Sequence, residues 1–196
     1  MFLQYMHGKV GDRRVIEEQM DLWRREYRSG ATGFLGSTSG FTDDGHFVAL
    51  ARFASEEAAN ENAHRPEQNA WWEKIAAGFA GEISFIDCPE VDLLMGGGSD
   101  EATFVQIMRG KAVDPEGLRA ASDEMETEMA KLRPDVVGMV CGWHGDREFV
   151  QAVYFTSEEE ARKGETATQD DPQAAEWDNM FEGPMTYIDL HDPHFD

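Results

Sequence analysis

Phe2, Gln4, Met6, Gly8, Lys9 and Asp12 recur 102 positions later as Phe104, Gln106, Met108, Gly110, Lys111 and Asp114. The same ungapped shift carries Gly36, Gly40, Asp44, Phe47, Val48, Phe53, Ser55, Glu56, Glu57 and Ala59 onto Gly138, Gly142, Asp146, Phe149, Val150, Phe155, Ser157, Glu158, Glu159 and Ala161. A period this long is far above that of a solenoid repeat and marks the tandem duplication of a small domain. Two copies of one fold in a single polypeptide are expected to do what a homodimer does, packing about a pseudo-twofold axis. The duplication divides the chain into residues 1–88 and 104–196. Residues 89–103 form a linker in which Gly96-Gly97-Gly98-Ser99 is flexible spacing. Each copy can bury only a modest core and is expected to need the other.

Within a copy the order is β-α-β-β-α-β. Phe2 to Gly8 reads as a strand, and Gly11-Asp12 opens a helix whose apolar residues Ile16, Met20, Trp23 and Tyr27 recur every three to four positions. In the second copy Asp114-Pro115 opens the corresponding helix. Thr42-Asp43-Asp44-Gly45 and Gly145-Asp146-Arg147 are hairpin turns between strand patterns. Ser55-Glu56-Glu57 and Ser157-Glu158-Glu159 combine an N-cap with first-turn carboxylates, which reads as helix capping in preference to a catalytic acid pair. Pro66 and Pro172 interrupt the helical region that follows, and segments carrying Trp71-Trp72 and Trp177 come next. A closing strand at 82–87 and at 184–190 completes each copy. This is the ferredoxin-like α+β arrangement, an antiparallel four-stranded sheet with both helices on one face. Alternation along 47–53 and 149–155 leaves both sheet faces apolar, so the two sheets are expected to pack face to face.

Seventeen basic against 39 acidic residues give a net charge of −22. A chain so acidic repels nucleic acid and anionic lipid, and neither is expected as a partner. No apolar run approaches the roughly 20 residues of a membrane helix. The chain begins directly on a strand pattern, and a soluble, cytoplasmic protein is expected. Cys88 and Cys141 occupy non-equivalent places in the repeat and read as reduced thiols, and no Cys/His cluster has zinc spacing.

The duplicated topology, with the run F-A-S-E-E-A-A-N-E-N-A-H-R-P-E-Q-N-A-W-W from Phe53 to Trp72, resembles the dimeric α+β barrel superfamily and, within it, the antibiotic-biosynthesis-monooxygenase-like group in fused two-copy form. The resemblance covers nearly the whole chain. It implies a pseudo-dimeric monomer, open to further homodimerisation, with a small aromatic or hydrophobic ligand. In the group's cofactor-independent oxygenases, Asn, Trp, His and Arg side chains hold an electron-rich phenol while O2 reacts with its deprotonated form. Asn62, His64 and Arg52 match those types as catalytic candidates, and Trp72, Trp71 and His7 as ligand-binding ones. The second copy has Gly164, Thr166, Ala174 and Tyr154 where the first has Asn62, His64, Trp72 and Arg52, so the site would be asymmetric. Haem-degrading members pair a first-strand Asn with a Trp and a His ligand on the later helix. Here the first strands carry Gln4 and His7, or Gln106 and Arg109, and no His follows a Trp on its helix, so no cofactor and no metal is expected. The alternative is a non-catalytic ligand-binding or assembly protein on the same scaffold.

Each candidate also has a plain structural reading. Trp23 lies on the apolar stripe of its helix and belongs to the core. Trp71 and Trp72, about 100° apart on a helix, cannot both face the core, so one lines a rim. Gln4 and Gln106 are expected to satisfy each other across the pseudo-twofold. His64 reads as an exposed turn residue unless it serves as base or donor. Trp143-His144 reads as packing with an exposed edge. His191-Asp192-Pro193-His194 is expected to be a frayed end without a metal.

Overall fold

The computed structural model describes residues 1–168 and 179–196. These fall into two compact units, Met1–Pro89 with His194–Asp196, and Glu90–Pro193. Trp177 and Pro172 lie outside the described residues.

Unit 1 opens with β1 (Phe2–Val10) and α1 (Arg13–Leu22). Asp12 caps α1 by accepting from the amides of Arg14 and Val15. The helix then widens into a π-helical turn at Trp23–Tyr27, where the Arg28 amide reaches back to the Trp23 carbonyl, and ends in a 3-10 turn. β2 (Phe34–Phe41) and β3 (His46–Phe53) form the hairpin. Ser55 caps α2 (Glu56–Ala63) through the Ala58 amide at 3.2 Å. Pro66 begins a separate helix, α3 (Pro66–Ala76), because proline is tolerated in a first turn and not within a helix. β4 (Phe79–Cys88) follows.

Unit 2 comprises β5 (Glu90–Leu94), β6 (Phe104–Lys111), α4 (Pro115–Leu132), β7 (Val136–His144), β8 (Glu148–Phe155), α5 (Glu158–Thr168) and β9 (Thr186–Leu190). The last strand, β10 (His194–Phe195), belongs to unit 1. The two antiparallel sheets have orders β10-β2-β3-β1-β4 and β5-β7-β8-β6-β9. Both are ferredoxin-like sheets with one strand added, and the 102-residue shift maps one order onto the other. Asp92 pairs with Cys141 in one sheet and His194 with Ser39 in the other, so β5 and β10 obey the repeat as well.

The strand β5 therefore lies inside the stretch expected to be a linker. Gly97, after it, is packed: a Cβ on Gly138 would stand 1.8 Å from the Gly97 carbonyl oxygen. Gly36, the repeat counterpart of Gly138, has φ +135 and would place a Cβ 2.9 Å from the Asp196 backbone oxygen. In both sheets this glycine lets another segment's backbone come close. The end of the chain, expected to fray, is a paired strand because its amide and carbonyl groups complete the open edge of β2.

In unit 1, Met6, Phe47, Trp23, Ile16, Trp71 and Ile75 form a core between the sheet and its helices. Strand alternation then puts Leu3, Tyr5, Val48 and Leu50 on the other face, where all four are buried. In unit 2 the helix face is divided between a cluster around Phe104, Val153 and Phe155 and one around Leu118, Trp143 and Phe149. Both cysteines are buried.

Candidate functional site

Register fixes what the helix face of each sheet presents. In unit 1, Asp196 exchanges backbone hydrogen bonds with Ser37, Ser37 pairs with Ala51, Ala51 with Gln4, and Gln4 with Asp87. The next row is His194, Ser39, Ala49, Met6 and Phe85. In unit 2 the same rows read Leu94, Met139, Val153, Gln106, Asp189 and Asp92, Cys141, Gln151, Met108, Tyr187. At the centre of the face unit 1 thus has Ser37, Ser39, Ala49 and Ala51 where unit 2 has Met139, Cys141, Gln151 and Val153. The difference is several side-chain carbons over the same backbone. Ala49 and Ala51 keep partial solvent exposure although β3 is an interior strand, whereas Val153 is buried. Unit 1 thus has a floor of smaller side chains, with Ser37, Ala49 and Ala51 partly exposed and Ser39 buried, and unit 2 has larger ones, with Cys141 and Val153 buried and Met139 and Gln151 partly exposed.

Aromatic rings stand around the floor. Trp23 donates from its indole to Gln68 Oε1 at 2.9 Å and meets Phe34 edge-on, with ring centres 5.0 Å apart. Trp71 is buried and donates to the Gln19 carbonyl at 2.7 Å. Trp72 is half-buried and packs edge-on against Phe85 at 5.4 Å. Polar groups bracket the floor at two ends. At the β4 end, Gln4 Nε2 donates to Asp87 Oδ1 at 2.8 Å. At the β10 end, Arg24 Nε donates to Asp196 Oδ1 at 2.6 Å, and the Ser37 hydroxyl donates to Oδ2 at 3.3 Å. Ser39 is fully buried, and its hydroxyl has no hydrogen-bond partner among the described residues.

Within its own unit each glutamine amide donates to the aspartate beside it, Gln4 to Asp87 and Gln106 to Asp189 at 3.0 Å, because the neighbouring strand offers a carboxylate in register. In unit 2 that carboxylate is also taken by Arg162, whose guanidinium lies over Phe104 with its carbon 5.1 Å from the ring centre. Arg162 is bonded to Glu158 as well, and Glu158 Oε2 lies 3.0 Å from His191 Nδ1. At the place of Arg162 unit 1 has Asn60, an exposed residue, so no guanidinium is available there to close over Asp87.

The six residues singled out from the sequence are spread over three places. Trp71 and Trp72 flank the floor. Asn62 is buried on α2, where its Oδ1 accepts from Arg65 Nη1 at 3.0 Å. His64 is exposed at the C-terminus of α2, its Nδ1 2.7 Å from the Asn60 carbonyl. His7 and Arg52 lie on the opposite face of the sheet, since they alternate with Met6 and Ala51. There His7 stacks on His46 at 4.6 Å. His46 reaches Asp44 at 3.0 Å, and the Thr42 hydroxyl followed by the His46 ring holds the Asp44 carboxyl below its ordinary range. In unit 2, Trp143 is buried and donates to Asp92 at 2.6 Å while Arg119 lies over its ring.

Ser37, Ser39, Ala49, Ala51, Arg24 and Asp87 were not singled out from the sequence. One signal for them was present: Asp87 and Asp189 are also 102 apart, and the small residues of the first copy change to larger ones in the second.

An α+β chain with these two sheets is a tandem ferredoxin-like protein. No family model matches the sequence, and the search of curated proteins finds no match. Among solved structures, a candidate monooxygenase from Lactobacillus acidophilus superposes with a TM-score of 0.71 at 16% identity, covering 96% of this chain and 92% of its own. An anthrone oxidase-like protein gives 0.67 at 13% identity, covering 100% and 92%. A ferredoxin-fold protein of Listeria monocytogenes related to antibiotic biosynthesis monooxygenases gives 0.53 at 9% identity, covering 99% and 96%. The chain shares the tandem ferredoxin-like fold of these structures, matched over nearly its full length.

Proposed function

We propose that unit 1 binds a small planar aromatic metabolite on the floor of Ala49, Ala51, Ser37 and Ser39, and that the chain acts on it as a cofactor-independent, monooxygenase-like enzyme. The observation that carries this reading is the smaller set of side chains at the centre of unit 1, Ser37, Ser39, Ala49 and Ala51, where unit 2 has Met139, Cys141, Gln151 and Val153. A flat ring gains contact with the alanines beneath it and with Trp72 and Phe85 at its edge. Ser37 and Gln4 are two strand spacings apart, about 9–10 Å, the span of a two- or three-ring molecule with an oxygen at each end. Asp87, held by Gln4, accepts a hydrogen bond from a ring hydroxyl and favours its loss of a proton. The electron-rich anion then reduces O2, one oxygen atom staying with the product and the other leaving as water. The anthrone oxidase-like and monooxygenase-like neighbours support this class of substrate only by shared fold.

A second reading, binding without catalysis, is favoured by one observation. Asn62, His64 and Arg52 do not converge on the floor, so the polar set of the oxygenases is not assembled there. Titration with 1,5-dihydroxynaphthalene and with an anthrone, followed by tryptophan quenching and oxygen uptake, separates the two. Saturable quenching with oxygen uptake is the expected result. Quenching without uptake leaves a binding protein, and no quenching by either compound overturns both readings.

A further inference from the structure

We infer that the corner of unit 1 formed by Arg24, Ser37 and Ser39 is a carboxylate-binding subsite, filled in this structure by the chain's own Asp196. The inference rests on the proposed aromatic site and names an acid group on its ligand. The Asp196 carboxylate is held as a ligand would be: Oδ1 by Arg24 Nε at 2.6 Å and Oδ2 by the Ser37 hydroxyl at 3.3 Å, with its side chain 1% exposed. A guanidinium with a hydroxyl beside it is a common recognition geometry for carboxylates.

Packing does not require such a group. The residue at the same place in unit 2 is Leu94, buried beside Met139 with no ion pair to satisfy. Burying a carboxylate is unfavourable unless it is paired, so the polar version in one copy alone calls for a reason beyond the fold. A second observation lies one row away. The Ser39 hydroxyl is fully buried on the same face, opposite His194, and has no hydrogen-bond partner among the described residues, a state that a ligand oxygen would relieve.

Ser37 and Asp196 also exchange backbone hydrogen bonds, so the Asp196 side chain can be removed while the strand pairing stays. Arg24 keeps a second partner, Asp21, at 2.7 Å. It would not be left without a counter-charge when Asp196 gives way to an aromatic acid.

The test compares two probes that share a ring system, 2-naphthoate and 2-naphthol, by tryptophan quenching and calorimetry. In Asp196→Ala, naphthoate should bind about ten-fold more tightly than in the unaltered protein, the size of one charge-assisted contact, while naphthol is unchanged. Adding Arg24→Gln should abolish the gain. Asp196→Asn, which keeps the shape of the tail, should give a smaller gain in the same direction, and melting curves check that each variant folds. Equal gains for both probes would mean that only space was opened, and would overturn the subsite. So would naphthol binding with no gain for naphthoate. Naphthoate binding without any naphthol binding would keep the subsite and overturn the aromatic floor, and binding of neither probe by any of these proteins overturns both.

Discussion

Replacing Ala51 by valine, the residue found at the matching place in unit 2, tests the floor directly. Val153 is 6% exposed and part of a packed cluster, whereas Ala51 keeps solvent contact. Valine adds two carbons. If the floor is open, those carbons meet Phe53-side and Trp-side apolar surface without displacing it, and burial at about 0.8 kcal/mol per carbon stabilises by up to roughly 1.6 kcal/mol. Valine's preference for strands acts in the same direction. If the floor is already filled, the same carbons overpack it and cost about 1–3 kcal/mol. For a chain of this size 1 kcal/mol moves the melting temperature by roughly 2–4 °C, so the two cases differ in sign and are resolved by calorimetry. The expected outcome is an unchanged or raised melting temperature together with weaker quenching by 1,5-dihydroxynaphthalene. A fall of several degrees, or full ligand affinity in the variant, would refute the idea of an open floor.

Trp23→Ala should destabilise by about 3–5 kcal/mol through a cavity, whereas Trp72→Phe should leave the melting temperature nearly unchanged and weaken aromatic binding, which paired melting and titration curves will check. Gly138→Ala should destabilise by at least about 1–3 kcal/mol because its Cβ would press on the Gly97 carbonyl, while several residues inserted between Ser99 and Asp100 should cost about 0.6 kcal/mol or less; denaturant titration compares them. Burial, reinforced by Arg109 and opposed by Glu148, pushes the His144 imidazole below its ordinary value of 6.5. The unfolded chain therefore takes up that proton first as pH falls below about 6.5, and stability declines from there; His144→Gln should flatten the dependence between pH 5 and 7 in urea melts.

The fold was legible because the repeat fixed it twice. A strand pattern, cap or hairpin read in one copy could be checked at the same place in the other, and the Ser55 and Ser157 caps form as expected. Strands β5 and β10 were not legible, since each is short and its pairing partner is distant in sequence. The site was read only in part. The Trp71-Trp72 pair was visible because adjacent residues on a helix must diverge. His7 and Arg52 were not placed, since composition does not say which sheet face a residue takes once both faces are apolar. Small residues in a strand carry no chemical signature, and the floor emerged only when register set Ala51 beside Ser37 and Gln4.

The pairing of β10 with β2 also sets an order of events during synthesis. His194 lies 155 positions after its partner Ser39, so the outer edge of the first sheet has no cover while the whole second copy is being made. At ordinary translation rates that interval is on the order of ten seconds, long compared with the closing of a local hairpin. Ribosome-bound intermediates therefore present an unpaired β2 edge with Arg24 and Ser37 not yet engaged by Asp196, and the first copy reaches its final form only after the second has been translated.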